Sequence, residues 1–445
     1  MKQKTAFHCT NCDYRPPKWV GCCPECSEWG SIAEVQMTGS KKGSGLATTA
    51  DLKLLHEIPS ETHKRFTCGI DEWDRVLGGG IVPGSFLILT GDPGIGKSTL
   101  LLQVASHLAQ NHTVFYFSSE ESLQQVKLRA ERLQANTNNL YFSDKAELET
   151  IAATAQKEKP HILIIDSIQN CYFDKIQTIP GSVGQLREAG FFLMQLAKQH
   201  NIAIILTGHI TKDGTIAGPK MLEHMVDGVF YLQGEDRWQT RILRSVKNRF
   251  GALDELGFFQ MEEHGLEQVP NINQQLLSQA TYSPGSCLIS SIEGSRPLLV
   301  ELQALTVPSK FGMPQRIVSG IDQKQVQLIA ANLEKYLQIK FSSYDIFFKV
   351  SGCLKIKDNS ADLGIALALL SSFFQKPLPE KSIALGEISL TGQIKPVNLI
   401  KTHINEAQKF GIERIFLAKN QAVDKIPKES RVFKHVYELL SLFED

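Results

Sequence analysis

Apolar residues recur in short blocks through the middle of the chain, and segments with helical spacing lie between these blocks. The helical spacing is clearest at Leu100, Leu101, Val104 and Leu108. The alternation runs through residues 85–232 and predicts a parallel sheet covered by helices, with ligand chemistry at the carboxyl ends of its strands. The predicted strands are Ser85–Thr90, Thr113–Ser119, His161–Ser167 and Ile202–Thr207.

The last third of the chain mixes strands and helices in a different order, which predicts an α+β domain. Asn271–Thr281 is rich in Asn and Gln and is interpreted as the domain boundary. The expected domains are residues 1–35, a linker at 36–55, an α/β domain at 56–275 and the α+β domain at 280–445. The predicted elements of the last domain are strands at 298–305, 346–350 and 382–385 and helices at 322–337, 361–374 and 401–410.

Composition changes this picture little. The 445 residues suggest about three domains, and 47 Lys and Arg balance 47 Asp and Glu, so a nucleic-acid surface would need local clustering of charge. No apolar stretch reaches the ~18 residues of a membrane span, and the first residues lack a secretion signal. We therefore expect a cytoplasmic protein without a membrane partner.

Five of the nine cysteines lie between residues 9 and 26. Two Cys-x-x-Cys pairs, Cys9 with Cys12 and Cys23 with Cys26, predict a tetrahedral Zn²⁺ site whose metal supplies the folding energy of a small module. Cys22 is the alternative third ligand.

Two tryptophans, Trp19 and Trp29, flank the second cysteine pair. They either cover the small core or stack on nucleic-acid bases, and we expect them to cover the core.

The segment between the first strand and the following helix reads Gly-Asp-Pro-Gly-Ile-Gly-Lys-Ser. Glycines let backbone N–H groups wrap phosphates, Lys97 reaches the β and γ oxygens, and the Ser98 hydroxyl binds Mg²⁺. The segment predicts an enzyme that binds and hydrolyses ATP. The expected nucleotide contacts here are Gly91, Asp92, Pro93, Gly94, Ile95, Gly96, Lys97, Ser98 and Thr99.

Polar residues follow three other predicted strands. Asp166 is expected to hold Mg²⁺ beside the phosphate loop. Glu120 is expected to position and deprotonate the attacking water, with Glu121 as the alternative. The non-catalytic interpretation is that both glutamates simply begin the next helix, whose first turn favours acidic side chains. His209 is the candidate γ-phosphate sensor.

Several segments together resemble the bacterial RadA (Sms) family, which are RecA-related DNA repair ATPases. The resemblance is carried by the cysteine module, Gly69–Gly84, the phosphate loop and Lys-Asn-Arg-Phe-Gly at 247–251. It implies a hexameric ring that moves along single-stranded DNA and drives branch migration of branched recombination intermediates, with the RecA recombinase as a partner. It also implies DNA contact by two loops, Phe173–Gly184 and Thr211–Met221.

Lys247 and Arg249 are alternate residues of a segment predicted to be extended, and they project to one side. They are expected to reach ATP on a neighbouring subunit as a charge-stabilising finger. A solvated basic strand end or a DNA-facing pair is the alternative.

The C-terminal domain is similar to the proteolytic domain of Lon, notably at Gly386–Gln393. The similarity puts Ser360 at the nucleophile position and Lys401 at the base position. Asn359 and Asp362 depart from Lon's pattern, and a nearby acid would keep Lys401 charged. The expected role is a scaffold for ring assembly and DNA contact. The rival functions are an ATP-dependent protease or unfoldase and a nucleotide-switched DNA-binding scaffold.

Overall fold

The computed structural model describes residues 5–10, 16, 18–24, 28–36, 54, 56, 64–174, 180–209, 222–234, 240–310, 313–353, 355–423 and 426–444. The chain divides into two compact units, Met1–Gln268 and Val269–Asp445.

The first unit begins with a hairpin of two antiparallel strands, β1 (Thr5–Cys9) and β2 (Ile32–Gln36). The main sheet follows, with the order β11-β10-β9-β8-β3-β7-β6-β4-β5. Its parallel strands are β3 (Phe86–Gly91), β4 (Val114–Ser118), β5 (Leu140–Ser143), β6 (Ile162–Asp166), β7 (Ala203–His209) and β8 (Gly228–Gly234). Antiparallel pairing then adds β9 (Thr240–Asn248), β10 (Leu256–Glu262) and β11 (Gly265–Gln268).

Helices surround this sheet because its parallel strands are apolar on both faces. All six residues of β3 are buried, as expected for a strand covered on both sides. One apolar cluster includes Leu101 and Val104, and a second includes Leu163 and Leu193. The helices are α1 (Asp71–Val76), α2 (Lys97–Leu108), α3 (Leu123–Arg132), α4 (Leu148–Glu158) and α5 (Val183–His200). The predicted parallel, helix-covered sheet is confirmed.

The second unit is an α+β domain around a mixed sheet with the order β14-β15-β13-β12-β16-β19-β20. Its helices are α6 (Ile272–Ser278), α7 (Gln323–Leu337), α8 (Asp362–Phe374) and α9 (Ile400–Lys409). Its strands are β12 (Ser286–Glu293), β13 (Arg296–Pro308), β14 (Arg316–Ser319), β15 (Tyr344–Val350), β16 (Ser382–Leu385), β17 (Glu387–Ile388), β18 (Ile394–Lys395), β19 (Arg414–Ala418) and β20 (Arg431–Phe433). The order of elements agrees with the α+β prediction.

The boundary between the units lies earlier than the sequence suggested. Asn271–Thr281 contains α6, and Asn273 is only 2% exposed. Its side chain accepts from the Leu299 amide at 2.9 Å and donates to the Pro297 carbonyl at 3.0 Å. Asn273 is therefore a buried residue that is hydrogen-bonded to β13, and Asn271–Thr281 belongs to the second unit.

Among the helices of the described ranges, none is both long and apolar enough to cross a membrane.

Candidate nucleotide-binding site

The glycine-rich segment connects the carboxyl end of β3 to the first residue of α2. Gly91 lies where a Cβ atom would collide with the carbonyl oxygen of Leu232 on β8. Gly96 is the residue before α2 and has φ 111°, a conformation that side chains disfavour. The glycines thus permit the turn that aims the N-terminal amides of α2, with their partial positive charge, at the loop.

Lys97 is 5% exposed and is folded back over the loop. Its Nζ donates to the carbonyl oxygens of Gly91 at 3.0 Å and Asp92 at 2.9 Å. Burial lowers the pKa of Lys97, while the negative charges of Asp166, Glu120 and Asp92 act in the opposite direction. The two carboxylates predicted to serve the phosphate loop therefore lie close enough to act on its lysine.

Asp166 ends β6 and is held by two hydroxyls that sequence reasoning missed. Tyr116 on β4 donates to Oδ2 at 2.7 Å, and Thr207 on β7 donates to Oδ1 at 2.6 Å. All three side chains are almost completely buried, and the negative charge of Asp166 adds to burial in raising the pKa of Tyr116. The strand order β7-β6-β4 brings the two hydroxyls to Asp166 from either side.

The two candidate glutamates have different surroundings. Glu120 is exposed and accepts a 2.5 Å hydrogen bond from the Ser167 hydroxyl. Glu121 is held in a two-pronged ion pair with Arg129 of α3, with one contact at 2.6 Å. Ser122 caps α3 with a reciprocal capping box to Gln125. Both glutamates therefore precede the helix, and the non-catalytic interpretation as first-turn acids does not fit.

Two further residues border the loop. His209 ends β7, and its backbone lies opposite Gly91 in the parallel register of β3 and β7. Arg241 on β9 donates from Nε to the carbonyl oxygen of Ile95 at 3.3 Å. Sequence reasoning missed Arg241, because only the antiparallel return of β9 beside β8 brings it to the loop.

Lys247 and Arg249 lie together, but far from the phosphate loop of the same chain. Lys247 donates to the Glu223 carbonyl at 2.5 Å, and Arg249 contacts Asp227 at 3.3 Å. Asp227 also accepts from the Phe86 amide at the start of β3, at 3.0 Å. The loop begins five residues later, about 16 Å along an extended strand. Neither side chain can span that distance to its own site.

The second predicted DNA loop, Thr211–Met221, lies outside the described residues, as do residues 175–179 of the first, Phe173–Gly184.

The cysteine module is described in part, because Cys12 and Cys26 lie outside the described ranges. Cys9 and Cys23 are each 0% exposed and share a cluster with Ile32. No group of three or more metal-binding side chains occurs among the residues the structure describes.

The expectation that the module's tryptophans cover its core is wrong. Trp19 is 61% and Trp29 80% exposed.

The Lon-like serine lies in a setting that does not suit a nucleophile. Ser360 is 4% exposed, and its hydroxyl donates to Asp358 at 2.8 Å while its amide donates to the other oxygen of Asp358 at 2.9 Å. Lys401 is an exposed residue of α9. Asp362 accepts from Gln325 and from the Ile388 amide. Ser360 is thus built into a capped turn before α8.

A phosphate loop after the central strand of a parallel sheet, with carboxylates from β4 and β6 acting on its lysine, is the design of a RecA-like P-loop ATPase. The chain is an ATP hydrolase of this class. Residues 54–215 also match the family model described as an AAA domain. Residues 308–421 match the one described as subunit ChlI of Mg-chelatase, in the region similar to the proteolytic domain of Lon.

Relatives make the assignment specific. The chain is 44% identical over 437 residues to DNA repair protein RadA of Listeria monocytogenes, covering 97% of this chain and 96% of the relative. It is 41% identical over 431 residues to DNA repair protein RadA of Pseudomonas aeruginosa, covering 96% and 95%. The chain therefore belongs to the RadA family of DNA repair proteins and is an ATPase of DNA repair.

Two solved structures are similar to part of the chain. The RadB recombinase is 22% identical, with a TM-score of 0.37, over 46% of this chain and 99% of that one. A KaiC-like protein of Pyrococcus horikoshii is 19% identical, with a TM-score of 0.40, over 46% and 99%.

Proposed function

We propose that Glu120 positions and deprotonates the water that attacks the γ-phosphate of ATP. Its support is the geometry of the paired glutamates: Glu120 is exposed beside Lys97 and Ser167, whereas Glu121 is occupied by Arg129. A carboxylate already paired with a guanidinium is a poor base, because the positive charge stabilises its ionised form.

The carboxyl ends of the parallel strands also present oxygen ligands suited to Mg²⁺. Ser98 is half-buried at the start of α2 and Asp166 lies among the charges acting on Lys97. Hydroxyl and carboxylate oxygens are the hard ligands that Mg²⁺ prefers. Asp166 receives hydrogen bonds on both oxygens, which fix the orientation of its carboxylate. When bound, the ion would neutralise charge on the β- and γ-phosphates.

Lys247 and Arg249 complete the ATP site of an adjacent subunit. One observation carries this proposal: the pair lies near the first residue of β3, whereas the phosphate loop of the same chain follows the last residue of that strand. Arg249 is 60% exposed. Arg249 can leave Asp227 without leaving a buried carboxylate unpaired, because Lys198 and the Phe86 amide remain as its partners. Hydrolysis would then be coupled to contact between subunits of a ring, with a hexamer as the expected assembly.

The work of the ring is movement on single-stranded and branched DNA. The relatives are DNA repair proteins, which supports DNA as the partner. The exposed Trp19 and Trp29 give the N-terminal module two flat apolar surfaces on which bases can stack. The RecA recombinase is the proposed protein partner.

The N-terminal module binds Zn²⁺ through Cys9, Cys12, Cys23 and Cys26. Burial of Cys9 and Cys23 in one cluster supports this ligand set. Cys22 is half-buried, and its thiol contacts the Cys23 carbonyl at 3.8 Å, so Cys23 is the better third ligand.

Mixing of inactive subunits tests the shared ATP site. Lys97→Ala and Arg249→Ala subunits should each be inactive alone, but mixed rings would contain some interfaces with both residues intact. We expect ATPase activity above the sum of the two separate proteins. The matched control mixes Lys97→Ala with Glu120→Gln, whose defects lie in the same half of the interface, and recovers nothing. Equal failure of both mixtures would contradict the proposal.

DNA stimulation tests the motor separately. Single-stranded DNA should raise the ATPase rate, and branch migration of a synthetic junction should be lost in Lys97→Ala. Strand movement by Lys97→Ala, or an ATPase rate indifferent to single-stranded DNA, would rule out the motor.

A further inference from the structure

Residues 247–251, here called the finger turn, present one basic side chain and anchor the residues beside it. The side chain of Arg249 is 60% exposed, whereas Asn248 is 8% exposed. The Nδ2 atom of Asn248 donates to the carbonyl oxygen of Val76, the last residue of α1, at 3.3 Å. Its Oδ1 atom accepts from the Phe250 amide at 2.9 Å. The asparagine therefore ties the finger turn to the end of α1.

Arg65 holds the finger turn from a distant part of the sequence. Its Nη2 atom donates to the Phe250 carbonyl oxygen at 2.7 Å, one residue after Arg249. Its Nη1 atom makes longer contacts with the carbonyl oxygens of Leu77 at 3.4 Å and Gly80 at 3.5 Å. Because the donors of a guanidinium lie in one rigid plane, this single side chain links the finger turn to the residues that follow α1.

The glycine run at 78–80 leaves room for the finger turn. A Cβ atom on Gly78 would lie 2.9 Å from both the Phe250 carbonyl oxygen and the Gly251 Cα atom. A Cβ atom on Gly251 would lie 2.8 Å from the Gly78 Cα atom. Two main chains thus meet at Gly78 and Gly251 because neither residue carries a side chain.

The main chain of the finger turn does not depend on the ion pair of Arg249 for its position. The Arg249 amide donates to the Asp227 carbonyl oxygen at 3.0 Å, in addition to the contact of the guanidinium with the Asp227 carboxylate. A guanidinium that leaves Asp227 for another subunit therefore extends from a main chain that is still bonded to Asp227, Asn248 and Arg65. Such anchoring matters because a displacement of about 1 Å can cost about 10²-fold in rate.

We propose that Arg65 and Gly78 are positioning residues for Arg249: they fix the main chain from which its side chain reaches the ATP site of the adjacent subunit. The inference rests on the proposed role of Arg249 in that site. Arg65 acts through the Phe250 carbonyl oxygen, and Gly78 acts through its close contact with Gly251.

Steady-state kinetics give the first test. Arg65→Ala should lower kcat for ATP about 10²-fold and change KM by less than about twofold, because a displaced finger weakens binding of the transition state and not of ATP. The control Lys64→Ala removes a positive charge from the adjacent exposed residue and should leave both constants unchanged. A raised KM with an unchanged kcat, or equal losses in the two variants, would overturn the proposal.

A pair of glycine variants separates contact with the finger turn from backbone strain. Gly78 and Gly79 have φ 84° and 101°, so alanine is strained at either position. Only at Gly78 does the added methyl group press on the finger turn, since at Gly79 it would come no closer than 3.9 Å, to the Cδ atom of Arg65. We expect Gly78→Ala to reproduce the kcat loss of Arg65→Ala and Gly79→Ala to turn over ATP as the unaltered protein does. Equal losses in both glycine variants would remove Gly78 from the proposal.

Subunit mixing shows on which side of the shared site Arg65 acts. Mixed rings of Arg65→Ala with Lys97→Ala should exceed the summed ATPase activity of the separate proteins, whereas Arg65→Ala with Arg249→Ala should not, because both defects then affect the finger. The reverse pattern would place Arg65 in its own ATP site and overturn the inference. Recovery by Lys97→Ala with Arg249→Ala alone would reject Arg65 and keep the shared site. Recovery in none of the three mixtures would reject the shared site and the inference with it.

Hydrogen exchange followed by mass spectrometry tests the anchoring without ATP hydrolysis. The amides of Arg249 and Phe250 are hydrogen-bonded within the described structure. Both should exchange at least about tenfold faster in Arg65→Ala, while the amides of α2 should exchange at an unchanged rate, because the loss of anchoring is local. Unchanged exchange in the finger turn would overturn the proposal, and so would faster exchange throughout α2, which indicates general unfolding.

Discussion

Tyr116 donates a 2.7 Å hydrogen bond to Asp166 across the adjacent strands β4 and β6. Because Thr207 occupies the other oxygen, the carboxylate is fixed before any metal arrives. Supporting hydrogen bonds of this kind orient metal ligands and typically change metal affinity about 10- to 100-fold when removed.

The first prediction follows from this pair. Tyr116→Phe should raise the Mg²⁺ concentration needed for half-maximal ATPase activity about tenfold, with little change in the rate at saturating Mg²⁺. The control is Tyr141→Phe, an exposed tyrosine on β5 of the same sheet. A lower maximal rate with an unchanged Mg²⁺ requirement would show that Tyr116 acts only on packing.

The second prediction separates the two glutamates. Glu120→Gln should reduce turnover about 10²- to 10⁴-fold while leaving ATP binding intact, because it removes the base and not the phosphate contacts. Glu121→Gln should cost at most ~1 kcal/mol of stability, since it only weakens a partly exposed pair with Arg129. Turnover and binding of a fluorescent ATP analogue are measured for both variants. Comparable turnover in the two variants would remove Glu120 from its proposed role.

The third prediction concerns Asp362, whose pKa burial raises from 3.8 to about 6, with Glu387 and Asp358 adding to the increase. The folded state therefore binds a proton more tightly than the unfolded state. This contribution to stability is full below about pH 4 and is lost as the pH rises through about 6. Such a change in pKa corresponds to ~3 kcal/mol in the free energy of unfolding.

Asp362→Asn should accordingly be more stable than the unaltered protein above about pH 6, and the difference should shrink toward about pH 4. Rotation of the Gln325 amide keeps both hydrogen bonds of the side chain. Hydrogen exchange of the α8 amides measures the effect, since it reports on the second unit directly. A stability difference that does not vary with pH would contradict the assignment.

The fourth prediction addresses proteolysis. Ser360→Ala should lower the stability of the second unit by about 1 kcal/mol, the usual value of one lost hydrogen bond. It should leave the ATPase rate unchanged, and neither protein should cleave casein with ATP. Cleavage by the unaltered protein that disappears in the variant would restore the Lon-like dyad.

The fifth prediction concerns zinc. Metal analysis should find stoichiometric zinc in the unaltered protein and in Cys22→Ser, but not in Cys9→Ser or Cys23→Ser. Full zinc content in Cys9→Ser would reject the ligand set, and loss in Cys22→Ser alone would exchange the third ligand.

Most of the fold was predictable because its signals are local. Apolar runs such as Phe86–Gly91 and the spacing of the α2 leucines specify strands and helices without reference to the rest of the chain. The phosphate loop was predictable for the same reason. The hydroxyls of Tyr116 and Thr207 were not, because strand order decides which side chains meet Asp166.

The misplaced boundary has a similar cause. Asn273 reads as a linker residue by composition, yet its side chain bonds to two backbone groups of β13 and is buried. Composition predicts exposure on average, and a satisfied polar residue in the interior is the exception it misses. Trp19 and Trp29 are the reverse case, because they are apolar side chains that were expected to be buried and are exposed.

Asp227 ties Arg249 to the amide of Phe86, the first residue of β3, and the last residue of that strand, Gly91, opens the phosphate loop. β3 is hydrogen-bonded to neighbours on both sides and buried along its length. A displacement of Asp227 at one end of β3 would therefore be transmitted along the strand to the phosphate loop at the other end.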